Sequence, residues 1–398
     1  MYRKFSADNI FNGFEILHGQ VLITDAVGKI IDLVAEKKAG DGVEKLKGML
    51  CPGFINCHCH LELSHMKGLV LKNTGLTEFV LKVVNDRHLA YRQAGFDEDQ
   101  ILEAVEKAED EMIQNGIVAV GDICNNIISI PQKSKKRLPY HNFIEASGFP
   151  PSLAQNRFNK AVAIFDLYAA SLPANSIVPH APYSVSPQLF GLINDFEGND
   201  ILTIHNQESR SENEFFEKGT GKLLGMYEKM GIDISFYKPP GLSSLQTWFP
   251  RFTKGQTVIA VHNTFTSEQD IEFSKMQTKN PKLKTFFCLC PGANLYISNV
   301  LPDVNMLIQQ GCEMVLGTDS LASNDQLNIL EEIKILHHNF SELNITALLQ
   351  WATSNGSRAL GMDETLGSFE KGKTPGVVLI EGMEGMRITD QSKVRRVI

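Results

Sequence analysis

No stretch of this 398-residue sequence approaches the roughly 18 consecutive apolar residues of a membrane span, and its opening MYRKFSADNIFNG has no uninterrupted apolar h-region. Neither a membrane partner nor export is therefore expected. A basic excess is also missing. Lys and Arg number 38 against 46 Asp and Glu, a net charge of -8, which leaves no electrostatic footprint for nucleic acid. Cysteine is sparse: seven residues, an odd number, widely scattered and without the spacing of a disulfide framework. That usage excludes a cystine-stapled secreted fold and predicts a reducing, cytoplasmic setting. Internal repeats, charge blocks and low-complexity tracts are lacking as well. The remainder, 43% apolar and 21% charged, is ordinary for a globular enzyme acting on a small molecule.

Eight short apolar runs punctuate the chain. They are GFINCHC near residue 55, IVAVGD (117–122), HNFIEA (141–146), SIVPHA (176–181), ILTIHN (201–206), TVIAVHN (257–263), TFFCLC (285–290) and EMVLGTD (313–319). Segments of helical character separate many of them. Helices are predicted over 76–93 and 98–115, the second with Ile101, Leu102, Val105, Ala108 and Met112 on one face and Gly116 as its stop. Eight buried runs alternating with helices predict an α/β fold, a (β/α)8 TIM barrel over residues 51–365. Long connections after the first and fifth runs would shape a pocket. The flanks differ. Val21-Leu22-Ile23 and Ile30 to Val34, around a turn at Gly28, read as a hairpin, and Val377 to Ile380 follow a Gly/Pro turn. Residues 1–50 and 366–398 are too poor in apolar content to form separate cores, which predicts one small composite β domain, a β-sandwich built from both termini.

The polar residues at the run ends carry the chemistry. In CPGFINCHCHLELS (51–64), strand alternation puts His58 and His60 on one face, and Cys57 and Cys59 on the other. A lone His-x-His is equally well a solvated strand end. However, His180, His205, His262 and Asp319 also fall at or near the C-terminal ends of predicted strands, the face where catalytic residues of such barrels collect. His58, His60, His205 and Asp319 would give one divalent ion an N,N,N,O ligand set, suited to Zn or Fe. Such an ion lowers the pKa of bound water toward ~7 and so provides a nucleophile at neutral pH. Glu208, three residues after His205, is placed to shuttle a proton, and His262 to hydrogen-bond the developing oxyanion. His180 is either a substrate contact or a loop brace. Cys57, Cys59, Cys288 and Cys290, one residue apart in each pair, read as core packing rather than a zinc cluster. His65, His88, His337 and His338 read as surface or packing residues.

These segments resemble the amidohydrolase superfamily, in its cytosine deaminase and chlorohydrolase-like branch. PGFINCHCHLELS is similar to the branch's first-strand motif, TIHNQE to its His-x-x-Glu and AVHN to its strand-six histidine. CPGANLYI (with Ala293 where Ser is usual), GTDSLASNDQLNILEE and SNGSRALGMDETLGSFEKGKTPGVVLI are similar to its later segments. The resemblance implies a metal on His58, His60, His205 and Asp319, catalytic roles for Glu208, His262 and Asp319, and substrate contacts from His180, Glu62 and Asn294. The fourth run has no Lys to bridge two metals, so one ion is implied, zinc before iron. Hydrolytic deamination of an aminated heteroaromatic ring is the implied activity, and a homodimer the implied assembly. HLELS with PHAPYSVS most resembles the aminodeoxyfutalosine deaminases. An imidazolonepropionase-like or N-formimino hydrolase is the alternative within the superfamily, and a non-catalytic barrel the alternative outside it. Zinc deaminases of the unrelated His-x-Glu type are excluded, because no Pro-Cys-x-x-Cys accompanies His60-Leu61-Glu62.

Overall fold

The computed structural model describes residues 2–89, 97–277 and 283–398, with backbone alone for 85–89. All eight expected strands form: β1 (Phe54–Cys59), β2 (Ile117–Cys124), β3 (Tyr140–Ala146), β4 (Asn175–Pro179), β5 (Ile201–Asn206), β6 (Thr257–His262), β7 (Lys284–Leu289) and β8 (Glu313–Leu316). They build two four-stranded parallel sheets, ordered β4-β3-β2-β1 and β5-β6-β7-β8. Every residue of β1 and β2 is buried. Parallel strands covered on both faces have no solvent side, which explains why they read as continuous apolar runs instead of alternating ones.

Hydrogen bonds also join the two sheets. At one seam the His205 N–H donates to the His180 carbonyl at 3.0 Å, next to β4 and β5. At the other, the Thr318 and Asp319 N–H groups both donate to the His58 carbonyl at 3.0 Å, linking β8 to β1. Strands β4 and β8 stop short of the expected bounds, so His180 and Asp319 lie just past them.

The helix Glu98–Gln114 starts in a capping box of Asp97 with Gln100 and buries Ile101, Val105, Ala108 and Met112. Leu102 is only half-buried, and Gly116 follows with φ 78°. The helix Leu76–Leu89 forms as expected, while residues 90–93 of its predicted span and the His88 side chain lie outside the described residues. The connections after β1 and β5 pack together. Leu76 and Leu81 from the first meet Phe215, Leu223 and Met226 from the second in one buried cluster beside the strand ends. Among the described residues, no helix is long and apolar enough to cross a membrane.

Both termini contribute to the flanking β structure. Gln20–Thr24 pairs antiparallel with Ile30–Ala35 around Gly28, as the expected hairpin. Val377–Glu381 pairs antiparallel with Met49–Pro52, which in turn pairs parallel with Asn9–Phe11. Met49–Pro52 crosses the boundary expected between residues 50 and 51. Phe5, Leu22, Leu50, Phe369 and Leu379 share a core drawn from both ends of the chain.

Candidate active site

The His58 and His60 side chains leave the end of β1 on one face, as strand alternation requires, and their Nε2 atoms stand 3.2 Å apart. Cys57 points away, its thiol 3.8 Å from the Gly356 carbonyl. Asp319 brings Oδ1 to 3.2 Å from His60 Nε2 and 3.5 Å from His58 Nε2, and His205 completes a group whose donor atoms lie within 4.8 Å of one another. Backbone geometry aims these groups. Asp319 has φ 58° and His262 φ 73°, left-handed values that cost non-glycine residues about 1–3 kcal/mol each and that persist where the surroundings enforce them. The enforcement at Asp319 is visible. Asn56 on β1 accepts the Thr318 N–H at 3.1 Å and donates to its hydroxyl at 2.7 Å, and Ser323 donates to Asp319 Oδ2 at 2.6 Å. Gly317 is the contact point between β8 and β1, since a Cβ there would sit 2.8 Å from His58 Cβ.

Burial controls protonation throughout. It pushes His60 and His205 well below the ordinary imidazole range, with neighbouring histidines adding to the effect, and lowers His262 to about 4. The three rings are therefore neutral at pH 7. His205 donates Nδ1–H to the His180 carbonyl at 2.7 Å, which turns its Nε2 lone pair toward the cluster. Asp319 behaves oppositely: burial opposes its charge, yet the hydrogen bond with His58 and the nearby imidazoles hold it well below the carboxylate range. Glu208 is held well above that range by burial and by the charges of Asp319 and Glu212. Its Oε1 lies 3.7 Å from His262 Nε2, while His262 Nδ1 faces Asn294 Oδ1 at 3.5 Å. The result is a carboxylic acid that carries a proton beside lone pairs that carry none.

A cavity of about 290 Å³ opens onto this group, lined by His60, His180, His205, Glu208, His262 and Asp319 at its polar end. Two expected substrate contacts are not at its wall. Glu62 turns instead to the loop after β2, where its Oε2 accepts the N–H groups of Asn125 and Asn126 at 3.0 and 3.2 Å. Asn294 braces His262 on one side and donates to Thr264 Oγ1 on the other. His180 does line the cavity and also bonds Ser184 Oγ at 2.7 Å, so contact and brace coexist. The buried cysteines form no donor group among the described residues; Cys288 and Cys290 pack against Gly317. His337 is buried, His65 half-buried and His338 exposed, all away from the cavity. Sequence reasoning missed Glu145, one residue before the end of β3 at the cavity wall, with Oε1 3.7 Å from His205 Nδ1. The signal was available, because HNFIEA carries Glu145 next to its last position, as SIVPHA carries His180 and ILTIHN carries His205.

Also missed was a fully buried lysine. Lys133 Nζ lies 2.5 Å from Asp122 Oδ2, 2.8 Å from Asn142 Oδ1 and 3.2 Å from Cys124 Sγ. Burial alone would lower its pKa, but Asp122 and Cys124 raise it above the ordinary value. Asp122 Oδ1 in turn accepts the N–H of Leu61 at 2.8 Å, directly after His60. Lys133→Met strands the Asp122 charge and is expected to cost about 3–5 kcal/mol in denaturant unfolding, with much of the loss recovered in Asp122→Asn/Lys133→Met. A loss under about 1 kcal/mol would mean that the pair is already solvated.

Three imidazole nitrogens, from His58, His60 and His205, and one carboxylate oxygen, from Asp319, converge here with their donor atoms within 4.8 Å of one another. That is the donor set of a divalent cation, and the residues fit one. The profile of the Amidohydrolase family matches residues 49–396. An adenosine deaminase of Helicobacter pylori is 27% identical over 335 residues, 82% of this chain and 77% of that protein. The solved structure of Helicobacter pylori aminofutalosine deaminase in complex with methylthio-coformycin superposes with a TM-score of 0.82 at 22% identity, covering 100% of both chains. An adenosine deaminase from Xanthomonas campestris with bound zinc superposes with a TM-score of 0.69 at 18% identity, covering 95% of this chain and 84% of that one. The profile spans both parallel sheets and all four residues of the donor cluster, and on that match the chain belongs to the amidohydrolase family.

Proposed function

We propose that the chain is a metal-dependent aminohydrolase that deaminates an aminated heteroaromatic ring of the nucleoside type, releasing ammonia. The observation that carries this reading is the buried pair of Glu208 and His262 beside the His58, His60, His205 and Asp319 cluster, at the polar end of a mainly apolar cavity. An aromatic amine is a poor leaving group on an electron-rich ring, so the reaction needs a proton delivered to the ring before water adds. Glu208, held protonated by burial, supplies it to a ring nitrogen and makes the neighbouring carbon electrophilic. His262, its Nδ1–H facing Asn294 Oδ1, presents the Nε2 lone pair to accept a hydrogen bond from the O–H of the water as it adds. Glu208, left as a carboxylate by that transfer, takes a proton from the adding water and delivers it to the departing nitrogen. The balance is ring C–NH2 plus water to ring C=O plus ammonia.

When bound, a divalent ion on the four-residue cluster makes water nucleophilic at neutral pH. We assign that ion as zinc from the nitrogen-rich ligand set, and the zinc-bound relative is consistent with this choice. His180 and Glu145, beside His205 at the wall, are assigned to hold polar groups of the substrate. The same reading treats the two sheets as one (β/α)8 barrel closed through the seams at His58 and His205. The paired terminal strands then form a composite domain beside it.

Adenosine, 5′-deoxyadenosine, 5′-methylthioadenosine and 6-aminodeoxyfutalosine form the test panel. Ammonia release from at least one by the metal-loaded protein is the expected result. Silence across all of them, with metal present, would transfer the site to imino or amide C–N hydrolysis.

A further inference from the structure

Gln207 and Glu208 lie just past the end of β5, where the parallel ladder no longer takes their N–H groups. Gln207 has φ 46°, a left-handed value for a residue with a side chain, and this turn decides where the Glu208 carboxyl points. The helix Arg210–Lys218 that follows has no side-chain cap from Ser209. Glu212, at its third position and fully buried, reaches back instead. Its Oε1 accepts the Gln207 N–H at 2.9 Å, and its Oε2 accepts the Glu208 N–H at 3.3 Å. Ser244, which opens the helix Ser244–Trp248, donates its hydroxyl to the same Oε1 at 2.5 Å. The Gln207 side chain is pinned as well. Its amide donates to Asn213 Oδ1 at 3.0 Å and to Asp270 Oδ2 at 2.9 Å, and accepts the Thr266 hydroxyl at 2.7 Å. Burial raises Glu212 to about 7, while its three donors favour the carboxylate. Of all these residues only Glu208 lines the cavity.

We propose that Glu212 is a positioning residue for Glu208: it clamps two consecutive amides and so holds the proton donor in line with the ring, without touching substrate itself. The proposal rests on the deaminase reading, in which Glu208 delivers the proton. A brace is needed because the left-handed turn at Gln207 has no ladder to hold it, and proton transfer falls steeply once donor and acceptor drift out of hydrogen-bond reach. A carboxylate suits the place. It offers two oxygens, both acceptors, to two N–H groups, whereas an amide of the same shape would set its NH2 against one of them. Ser244 fixes that carboxylate from the connection between β5 and β6, so the loop and the proton donor are built as one unit.

The test compares Glu212→Gln, Ser244→Ala, Glu208→Gln and Glu208→Gln/Glu212→Gln in the zinc-loaded protein at about pH 8, where Glu212 is ionised. Steady-state ammonia release is measured on the best nucleoside of the panel. Glu212→Gln is expected to lower kcat by about 10–100-fold, with KM within about twofold and zinc content unchanged. Ser244→Ala, which leaves the carboxylate in place, is expected to lower kcat in the same direction by less. In the Glu208→Gln background the second change is expected to cost under about twofold, because a brace has no effect once the group it aligns carries no transferable proton. Additive losses overturn the proposal, as does a loss confined to KM or an unaltered kcat in Glu212→Gln. Amide hydrogen exchange gives a readout that needs no substrate. The Gln207 and Glu208 N–H groups are expected to exchange about tenfold faster or more in Glu212→Gln, and faster in Ser244→Ala should the first variant not fold. Unchanged exchange overturns the brace. Faster exchange in a protein that releases ammonia from no nucleoside of the panel would sink the deaminase reading and leave the brace standing, so the two failures are distinguishable.

Discussion

Glu208→Gln is expected to lower kcat by about 10²–10⁴-fold, the usual contribution of a positioned general acid–base. Two features make the substitution clean. Burial already favours the uncharged carboxyl, so a neutral amide of the same shape removes the transferable proton with little change in local charge. Moreover, Glu208 is not in the four-residue donor cluster, so metal content is expected to stay at its original stoichiometry. Steady-state ammonia release on the best nucleoside, with metal analysis of the same sample, separates the two quantities. A loss smaller than about tenfold would mean that another group, with His262 the nearest candidate, moves the proton.

The second large effect is expected at the donor cluster. Stripping the protein with a chelator should reduce ammonia release to background, and adding zinc back should restore it. Asp319→Asn removes the one anionic donor and should weaken metal binding by more than the roughly 10–100-fold typical of losing an outer partner of a ligand. The same variant should lose most of the thermal stabilisation that zinc confers, because an ion held only by the native state stabilises in proportion to its affinity. Full activity without stoichiometric metal would end the metal-dependent reading.

How much of this was legible in the sequence depended on whether a residue's role is local. His58 and His60 announce themselves because a strand repeats every two residues, and both belong to one strand. Strand-end position alone flagged His180, His205, His262 and Asp319, and the structure brings them to one cavity. Glu62 had a position in the sequence but no direction. It lies in the short 3-10 turn Leu61–Met66 right after His60, and sequence proximity says nothing about which way that turn aims a side chain. The turn aims it at the Asn125 and Asn126 amides. Lys133 was illegible for a different reason. In PQKSKK it looks like a solvated cation, and only the meeting of the helix Ile130–Lys133 with Asp122 and Asn142 on two strands buries it.

The seam between β1 and β8 has a consequence for how the protein comes into being. His58 and Asp319 must meet before the cluster exists, yet roughly 260 residues of chain separate them, and the hydrogen bonds that align them run from Thr318 and Asp319 to the His58 carbonyl. At about 5–20 residues per second of synthesis, tens of seconds pass between the appearance of the first donor and the last. During that interval the nascent chain carries a bare His-x-His without its carboxylate. The complete four-residue donor set therefore exists only in chains whose first and last parallel strands have already found each other.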